Sequence, residues 1–336
     1  MAMILPTPEF EAALSALMPR ILPGAQRVDG LRRLSAGATL ETWSFDAVGD
    51  GFRHPLILRR SPGGLRAAET LSIADEADLV RALAGSGVPV APVVHTLRPD
   101  DALGDGFLMT RVEGETIPRK ILRDARFEAV RPKLAARFGA ILGALHRVDI
   151  TTLPKLADRT TSKMIDGLHW RYQHKIRPSA VMDYAFAWLR ERQPEDPPAL
   201  HLVHGDFRNG NVIIGEDDVR AVLDWEIAHL GDPAEDLAWV CVAPWRFGNL
   251  ELPVGGLGTR EQMFEAYEAV TGEPVDRDRV RWWEALGSLR WAIGCAGMAE
   301  WFRSGRDASV ERAMIARRTS ESELDVMRII GGRRDA

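Results

Sequence analysis

The run His204-Gly205-Asp206-Phe207-Arg208-Asn209-Gly210-Asn211, followed by Asp224 in Ala221-Val222-Leu223-Asp224-Trp225-Glu226, brings a carboxylate, a carboxamide and a second carboxylate into one short stretch. Those groups at that spacing suit a nucleotide's metal ion held beside a substrate hydroxyl, which is phosphoryl-transfer chemistry. Such a reaction asks for attacking oxygen, phosphorus and leaving oxygen in line, with metal and cationic groups spread over the developing charge. Asp206, in a tight loop after Gly205, is the expected catalytic base: its carboxylate accepts a hydrogen bond from the acceptor hydroxyl, orients it and takes its proton late. Asn211 is expected to offer its side-chain oxygen to Mg²⁺, and Asp224, at the end of an apolar strand, to supply the anionic ligand. The reading requires these three groups to converge on one divalent cation. His204 and Arg208 are read as support for the loop, the histidine through its ring nitrogens. An isolated Asp-x-x-x-x-Asn is most often a turn with a self-capping Asn, so the combination carries the argument and no single pair does.

The elements that must position this loop follow from pattern. Thr7-Pro8 with Glu9 and Glu11 predicts a leading helix over about residues 7–19. Short β-prone runs come next, Leu31–Leu34, Glu41–Asp46 and Leu56–Arg60, broken by glycines and read as antiparallel strands. A helix is expected over Leu65–Leu83, with Leu71, Leu79, Val80 and Leu83 at helical spacing and Gly85 and Gly87 stopping it. Strands at Val93–Leu97 and Phe107–Val112 complete a small lobe over residues 1–112. Residues 113–336 read as a mainly helical lobe, with amphipathic stretches at Phe127–His146 and from Ser162 to about Arg192. That lobe carries the loop 204–211 and Asp224, with short strands at His201–Val203, Val212–Ile214 and Val219–Leu223. The expected fold class is α+β: a five-stranded antiparallel sheet with one main helix, then helices.

Bulk properties narrow the function classes. At 336 residues, 46% hydrophobic and 27% charged, the chain is long enough for two lobes and has the composition of a globular protein. The 43 basic and 48 acidic residues are mixed, with a net charge of -5, so no basic footprint for nucleic acid is present. Cys241 and Cys295 lack metal-ligand spacing and read as core residues of a reducing compartment. The N-terminus turns acidic before a signal-like apolar core develops, and no run approaches the roughly 18 apolar residues of a membrane span, so a cytoplasmic protein without membrane contact is expected. The oligomeric state is not readable.

Beyond its catalytic loop, the chain resembles the aminoglycoside phosphotransferase and choline kinase group of small-molecule kinases, which share the bilobal protein-kinase-like fold. His204-Gly205-Asp206, Asn211 and Asp224 match that group's motif, and Ile227 to Ala238 looks like the stretch that follows its metal-binding Asp. Leu145-His146-Arg147-Val148-Asp149 looks like its helix-ending segment. Phe207-Arg208 and Trp225-Glu226 are similar to the subgroup found fused to acyl-CoA dehydrogenases. The resemblance implies ATP and Mg²⁺ as cofactors and a small-molecule hydroxyl as acceptor. It also implies nucleotide-binding roles in the small lobe. Ser35, Ala36, Gly37, Ala38 and Thr39 would let backbone N–H groups approach phosphates, although the same run suits an ordinary glycine hairpin. Arg59 stands where the broader fold carries a phosphate-binding Lys, with Arg60 as the alternative ligand and Glu76 as the ion-pair partner. Thr110, Arg111 and Val112 would form the hinge that meets the adenine edge.

For the acceptor, a polycationic aminoglycoside asks for a cleft lined with carboxylates. The C-terminal region instead pairs Trp245 and Trp291 with Arg246, and Trp170-Arg171 adds a second aromatic and basic cluster, which suits an apolar or partly anionic acceptor such as a hydroxylated acyl compound or lipophilic alcohol. The same tryptophans at helical spacing also suit a core. Two alternatives stay open: a 3'-type aminoglycoside phosphotransferase, and a catalytically silent kinase-fold protein acting as a nucleotide-binding scaffold, for which Arg59 is the best support. Asp232 and Asp236 flank Pro233 and read as caps of the helix that follows; His146 and His229 read as structural histidines.

Overall fold

The computed structural model describes residues 7–34, 40–61 and 70–332, which form two compact units. The first comprises residues 1–114 together with 151–156 and 220–228, so Asp224 groups with the N-terminal unit rather than with the helical one. Backbone bonds explain this: Val222 N–H donates to Pro89 O at 2.8 Å, and Leu71 N–H donates to Glu226 O at 2.7 Å.

In the first unit α1 (Pro8–Ile21) begins at Thr7, whose hydroxyl accepts the Phe10 N–H at 3.3 Å. Strands β1 (Arg27–Arg33), β2 (Glu41–Gly49), β3 (Phe52–Arg60), β4 (Val93–Thr96) and β5 (Gly106–Thr110) make one antiparallel sheet in the order β1-β2-β3-β5-β4. Helix α2 (Ile73–Ala82) starts at Ser72, whose hydroxyl accepts the Asp75 N–H at 3.0 Å. The expected start at Leu65 falls among residues outside those described, and the cap at Ser72 moves the helix start to Ile73.

Alternation along β3 decides what each face buries. Leu56 and Leu58 join Phe10, Leu14, Trp43 and Phe45 in the core under α1, whereas Ile57 joins Ile73, Ala77 and Phe107 under α2. Arg60 therefore continues the α1 face and Arg59 the α2 face.

The second unit comprises residues 115–150, 157–219 and 229–336 and is mainly helical. It contains α3 (Pro118–Arg123), α4 (Leu134–His146), α5 (Thr161–Lys175) and α6 (Ala180–Glu191). Strands β6 (His201–Val203) and β7 (Val212–Ile214) bracket the 204–211 loop, and β8 (Val219–Val222), most of which belongs to the first unit, leads on towards Asp224. Then come β9 (His229–Gly231), α7 (Ala234–Trp239), α8 (Arg260–Thr271), α9 (Arg277–Arg303), α10 (Val310–Ala316) and α11 (Thr319–Ile330). The stretch expected as one helix to about Arg192 is two helices, because Pro178 and the N-cap Ser179 interrupt it. Strand β9 was not expected; it pairs antiparallel with β6, Leu202 opposite Leu230. Cys241 and Cys295 are both buried. Among the described residues no helix is long and apolar enough to cross a membrane.

Candidate active site

The chain from His204 to Asn211 connects β6 to β7, and two glycines shape it. Gly205 has φ +77° and Gly210 φ +117°, conformations that side-chain-bearing residues rarely adopt. At Gly210 an added Cβ would also stand 2.8 Å from the Arg208 guanidinium. The loop hangs on Asp236, which is wholly buried inside α7. Asp236 Oδ2 accepts His204 N–H at 2.8 Å, and Oδ1 accepts Gly205 N–H at 2.9 Å. His146 Nε2 lies 3.3 Å from Oδ2, and its Nδ1 meets the Tyr267 hydroxyl at 3.0 Å. Burial works against the ionised form of Asp236, but the His146 bond, the His146 and His204 rings and the His204 N–H outweigh it and hold the carboxyl below its usual range. Asp236 is thus no helix cap. The capping oxygen belongs to Asp232, which accepts Ala234 N–H at 3.0 Å.

Asp206 receives three side-chain donors. Trp239 Nε1–H donates to Oδ1 at 2.7 Å, Arg208 Nε–H approaches Oδ1 at 3.1 Å and Oδ2 at 3.3 Å, and Asn211 Nδ2–H donates to Oδ2 at 2.6 Å. His204 Nδ1 accepts Asp206 N–H at 3.1 Å. Asn211 Nδ2 also donates to Asp206 O at 3.0 Å, so both bonds use the nitrogen and the amide oxygen faces elsewhere. Around this carboxylate stand two cation–aromatic stacks: the Arg208 guanidinium 4.5 Å over Trp245, and the Arg290 guanidinium 3.6 Å over Trp239. Arg290 is fixed by Glu235 at 3.0 Å and by Gly205 O at 2.9 Å. His229 meets the other oxygen of Glu235 at 3.1 Å, a structural role.

In the first unit Arg59 reaches two carboxylates, Glu76 Oε1 at 2.9 Å and Asp224 Oδ1 at 3.0 Å. Glu76 is wholly buried, and burial of the guanidinium opposes its charge; Glu76 and then Asp224 overcome this and push the Arg59 pKa up. Asp224 follows β8 with φ +67°, a left-handed conformation that Asp tolerates better than most residues. Its neighbours Val222 and Trp225 are buried, whereas the Asp224 side chain keeps 37% of its surface exposed. Arg60 lies on the opposite face, bonded to Glu41 at 2.8 Å and stacked 4.1 Å over Phe10. Ser35, Ala36, Gly37, Ala38 and Thr39 lie outside the described residues. At the expected hinge, Thr110 N–H is already bonded to Pro92 O and Arg111 N–H to Pro55 O, both at 2.9 Å, which leaves only Val112 of the three to offer its N–H. The Arg111 side chain is held by Asp46 and Ser44.

The expected acceptor residues divide. Trp245 packs between Trp239 at 5.4 Å and Trp291 at 4.8 Å, close to Asp206 through Trp239. Arg246 is a correction: it is buried, and its guanidinium is spent on Cys241 O, Leu250 O and Glu284. Trp170 is exposed on α5 and stacks on His174 of the same helix, and Arg171 follows it there, so this cluster is separate from the Trp239–Trp245–Trp291 group. Trp239 and Asp236, which matter most to Asp206, were missed as site residues. Their signal was the Asp-rich Gly231-Asp232-Pro233-Ala234-Glu235-Asp236 run, read as capping.

A hard cation of the Mg²⁺ type takes oxygen donors, commonly one or two carboxylates with substrate phosphates supplying the rest. The oxygen of Asn211 and the carboxylate of Asp224 are donors of that kind. Among the described residues no three or more His, Cys, Asp or Glu cluster to hold a metal by themselves.

A five-stranded antiparallel sheet with its helix, followed by a helical unit carrying this loop, defines the kinase-like α+β phosphotransferase fold. A model of the phosphotransferase enzyme family matches residues 30–288, and the chain belongs to that family. Among solved structures it is similar to a Ralstonia eutropha protein assigned to the aminoglycoside phosphotransferases (TM-score 0.77, 23% identity, 95% of this chain and 98% of that one). It also resembles a choline/ethanolamine kinase family protein from Mesorhizobium loti (TM-score 0.64, 20% identity, 96% and 97%). The aminoglycoside phosphotransferase APH(4)-Ia, solved with AMP-PNP and hygromycin B, has TM-score 0.64 and 17% identity over 95% and 99% of the chains. Curated relatives include acyl-CoA dehydrogenase family member 10 of Mus musculus (28% identity over 65% of this chain) and member 11 of Gallus gallus (28% over 68%). The chain spans only 22% and 30% of those two proteins.

Proposed function

We propose that the chain is a Mg-ATP-dependent phosphotransferase that moves the γ-phosphoryl group to a hydroxyl of a small molecule. The observation that carries this reading is Asp206, a carboxylate fixed by three donors in a loop suspended from buried Asp236. Asp206 accepts the hydrogen bond of the acceptor hydroxyl and aims its oxygen at the γ-phosphorus. As the new P–O bond forms, the bond to the β–γ bridging oxygen breaks, ADP leaves and the acceptor proton passes to Asp206. Asn211 supplies an amide oxygen and Asp224 a carboxylate to Mg²⁺. When bound, that ion neutralises charge on the phosphate oxygens. Arg59, anchored by Glu76, contacts nucleotide phosphate in place of the usual Lys, and Val112 offers hinge N–H to the base.

The acceptor class follows from what surrounds Asp206. Arg208, Arg290 and three tryptophans give an aromatic and cationic setting, which disfavours a polycationic aminoglycoside and favours a hydroxylated acyl compound or lipophilic alcohol. APH(4)-Ia binds hygromycin B within the same fold, so fold alone does not choose the acceptor. A phosphorylation screen of hydroxyacyl compounds against kanamycin-type sugars tests the preference; turnover of the sugars alone refutes it. Nucleotide-only scaffolding is separated by Mg-dependent ATP binding and slow ATP hydrolysis with Asp206→Ala as control. Binding without Asp206-dependent hydrolysis would make the chain a scaffold.

A further inference from the structure

The geometry points to Arg208 as a gate on Asp206 that an anionic group of the acceptor opens. This inference rests on the phosphotransfer reading above and adds the acceptor's charge to it. The two oxygens of Asp206 already hold Trp239, Asn211 and Arg208. A carboxylate has about four lone-pair sites, so three donors do not exhaust it, but Arg208 Nε–H lies against both oxygens at once, 3.1 Å from Oδ1 and 3.3 Å from Oδ2, and covers the edge between them that a substrate hydroxyl would approach. Trp239 and Asn211 are buried, and each is held by packing or by a second bond. Arg208 keeps 23% of its side chain exposed and rests on the face of Trp245, a surface along which a planar guanidinium slides without losing its aromatic contact. It is the donor that leaves.

A guanidinium drawn from a carboxylate needs another anion. In the described structure the unpartnered acceptor next to Arg208 in the chain, Asn209 Oδ1, is a neutral amide oxygen and no substitute for a carboxylate. Arg290 is committed to Glu235 and Gly205 O, and the buried indole N–H groups of Trp245 and Trp291 have no hydrogen-bond partner. An acceptor bearing a carboxylate or phosphate near its hydroxyl supplies the missing oxygens: it takes Arg208, and its hydroxyl takes the vacated side of Asp206. An ammonium-rich acceptor meets Arg208 with like charge and leaves Asp206 covered. Selection of the substrate and exposure of the base are then one event.

The test uses the whole chain with Mg-ATP and no acceptor, so that water is the nucleophile: its oxygen forms the P–O bond, ADP and phosphate leave, and Asp206 takes the proton. Arg208→Gln should release ADP at least about threefold faster than wild type, with the gain abolished by Asp206→Asn in the same chain. Acetate, compared with chloride at matched ionic strength, should accelerate wild type and leave Arg208→Gln unchanged. The NMR resonance of the Arg208 Nε–H, assigned by its loss in Arg208→Gln, should move with acetate and not with chloride. Arg208→Lys, which keeps the charge, should respond to acetate, and thermal melting of each variant checks folding. Hydrolysis in Arg208→Gln equal to or below wild type, or no acetate effect on wild type, overturns the gate while phosphotransfer stands. Hydrolysis indifferent to Asp206→Asn removes the base assignment and the gate with it.

Discussion

Two carboxylates proposed to act in one reaction are held in opposite ways. Among the described residues Asp224 of the first unit is paired with one cation, Arg59, and the pair is anchored by a buried carboxylate, Glu76. Asp206 of the second unit has three donors on its own oxygens and a frame of backbone N–H bonds to Asp236 behind it. A chain of charges sets how strongly a cation or phosphate is held; a hydrogen-bonded frame sets where an oxygen points. On the proposed reading the first unit supplies affinity and the second geometry, and substitutions should separate the two.

The largest effect is expected at the framed carboxylate. Asp206→Ala should lower kcat by about three orders of magnitude or more while nucleotide affinity stays nearly intact, read by steady-state kinetics and calorimetric ATP titration. A matching loss of ATP affinity would place Asp206 in the nucleotide site and break the contrast. The frame itself comes next. Asp236→Ala strands two buried N–H groups and the His146 ring, at a cost of about 3 kcal/mol or more in denaturant unfolding.

The pH dependence of the frame has a definite sign. Folding lowers the Asp236 pKa, so its contribution to stability is complete above the unfolded carboxyl value of about 3.9 and is lost as pH falls through the lower folded value. Acid melts of Asp236→Asn should therefore show a shallower fall in stability than wild type below about pH 4. Identical slopes would mean that another group holds the loop.

Smaller effects belong to the charge chain. Asp224→Ala should weaken Mg-dependent ATP binding by about 100-fold, and unchanged Mg-ATP affinity would remove Asp224 from the metal. Arg59→Ala should weaken ATP binding by about tenfold, more than Arg60→Ala does, since Arg60 faces α1 and pairs with Glu41. The reverse order would return the phosphate contact to Arg60.

How much was legible differs between these regions for physical reasons. Five strands and the cap at Thr7 follow local rules of alternation and capping, and the loop motif announces itself because Gly, Asp and Asn have distinct conformational demands. Strand β9 was hidden because three residues show no period, and the start of α2 because apolar spacing near Leu71 resembles the helix that begins beyond it. Trp239 and Arg246 carry no local mark that tells a site residue from a core one.

The sequence by itself determined the fold class and the phosphotransferase family and singled out the acidic loop, because residue type, spacing and hydrophobic period are properties of neighbours along the chain. Only the tertiary structure decided that Arg59 and not Arg60 meets Glu76, that Asp236 suspends the catalytic loop, and that Trp239 and Arg208 cover Asp206. Those pairings join residues from separate elements or turn on which face of a strand is covered. No local preference encodes them; packing selects them when buried polar groups find partners.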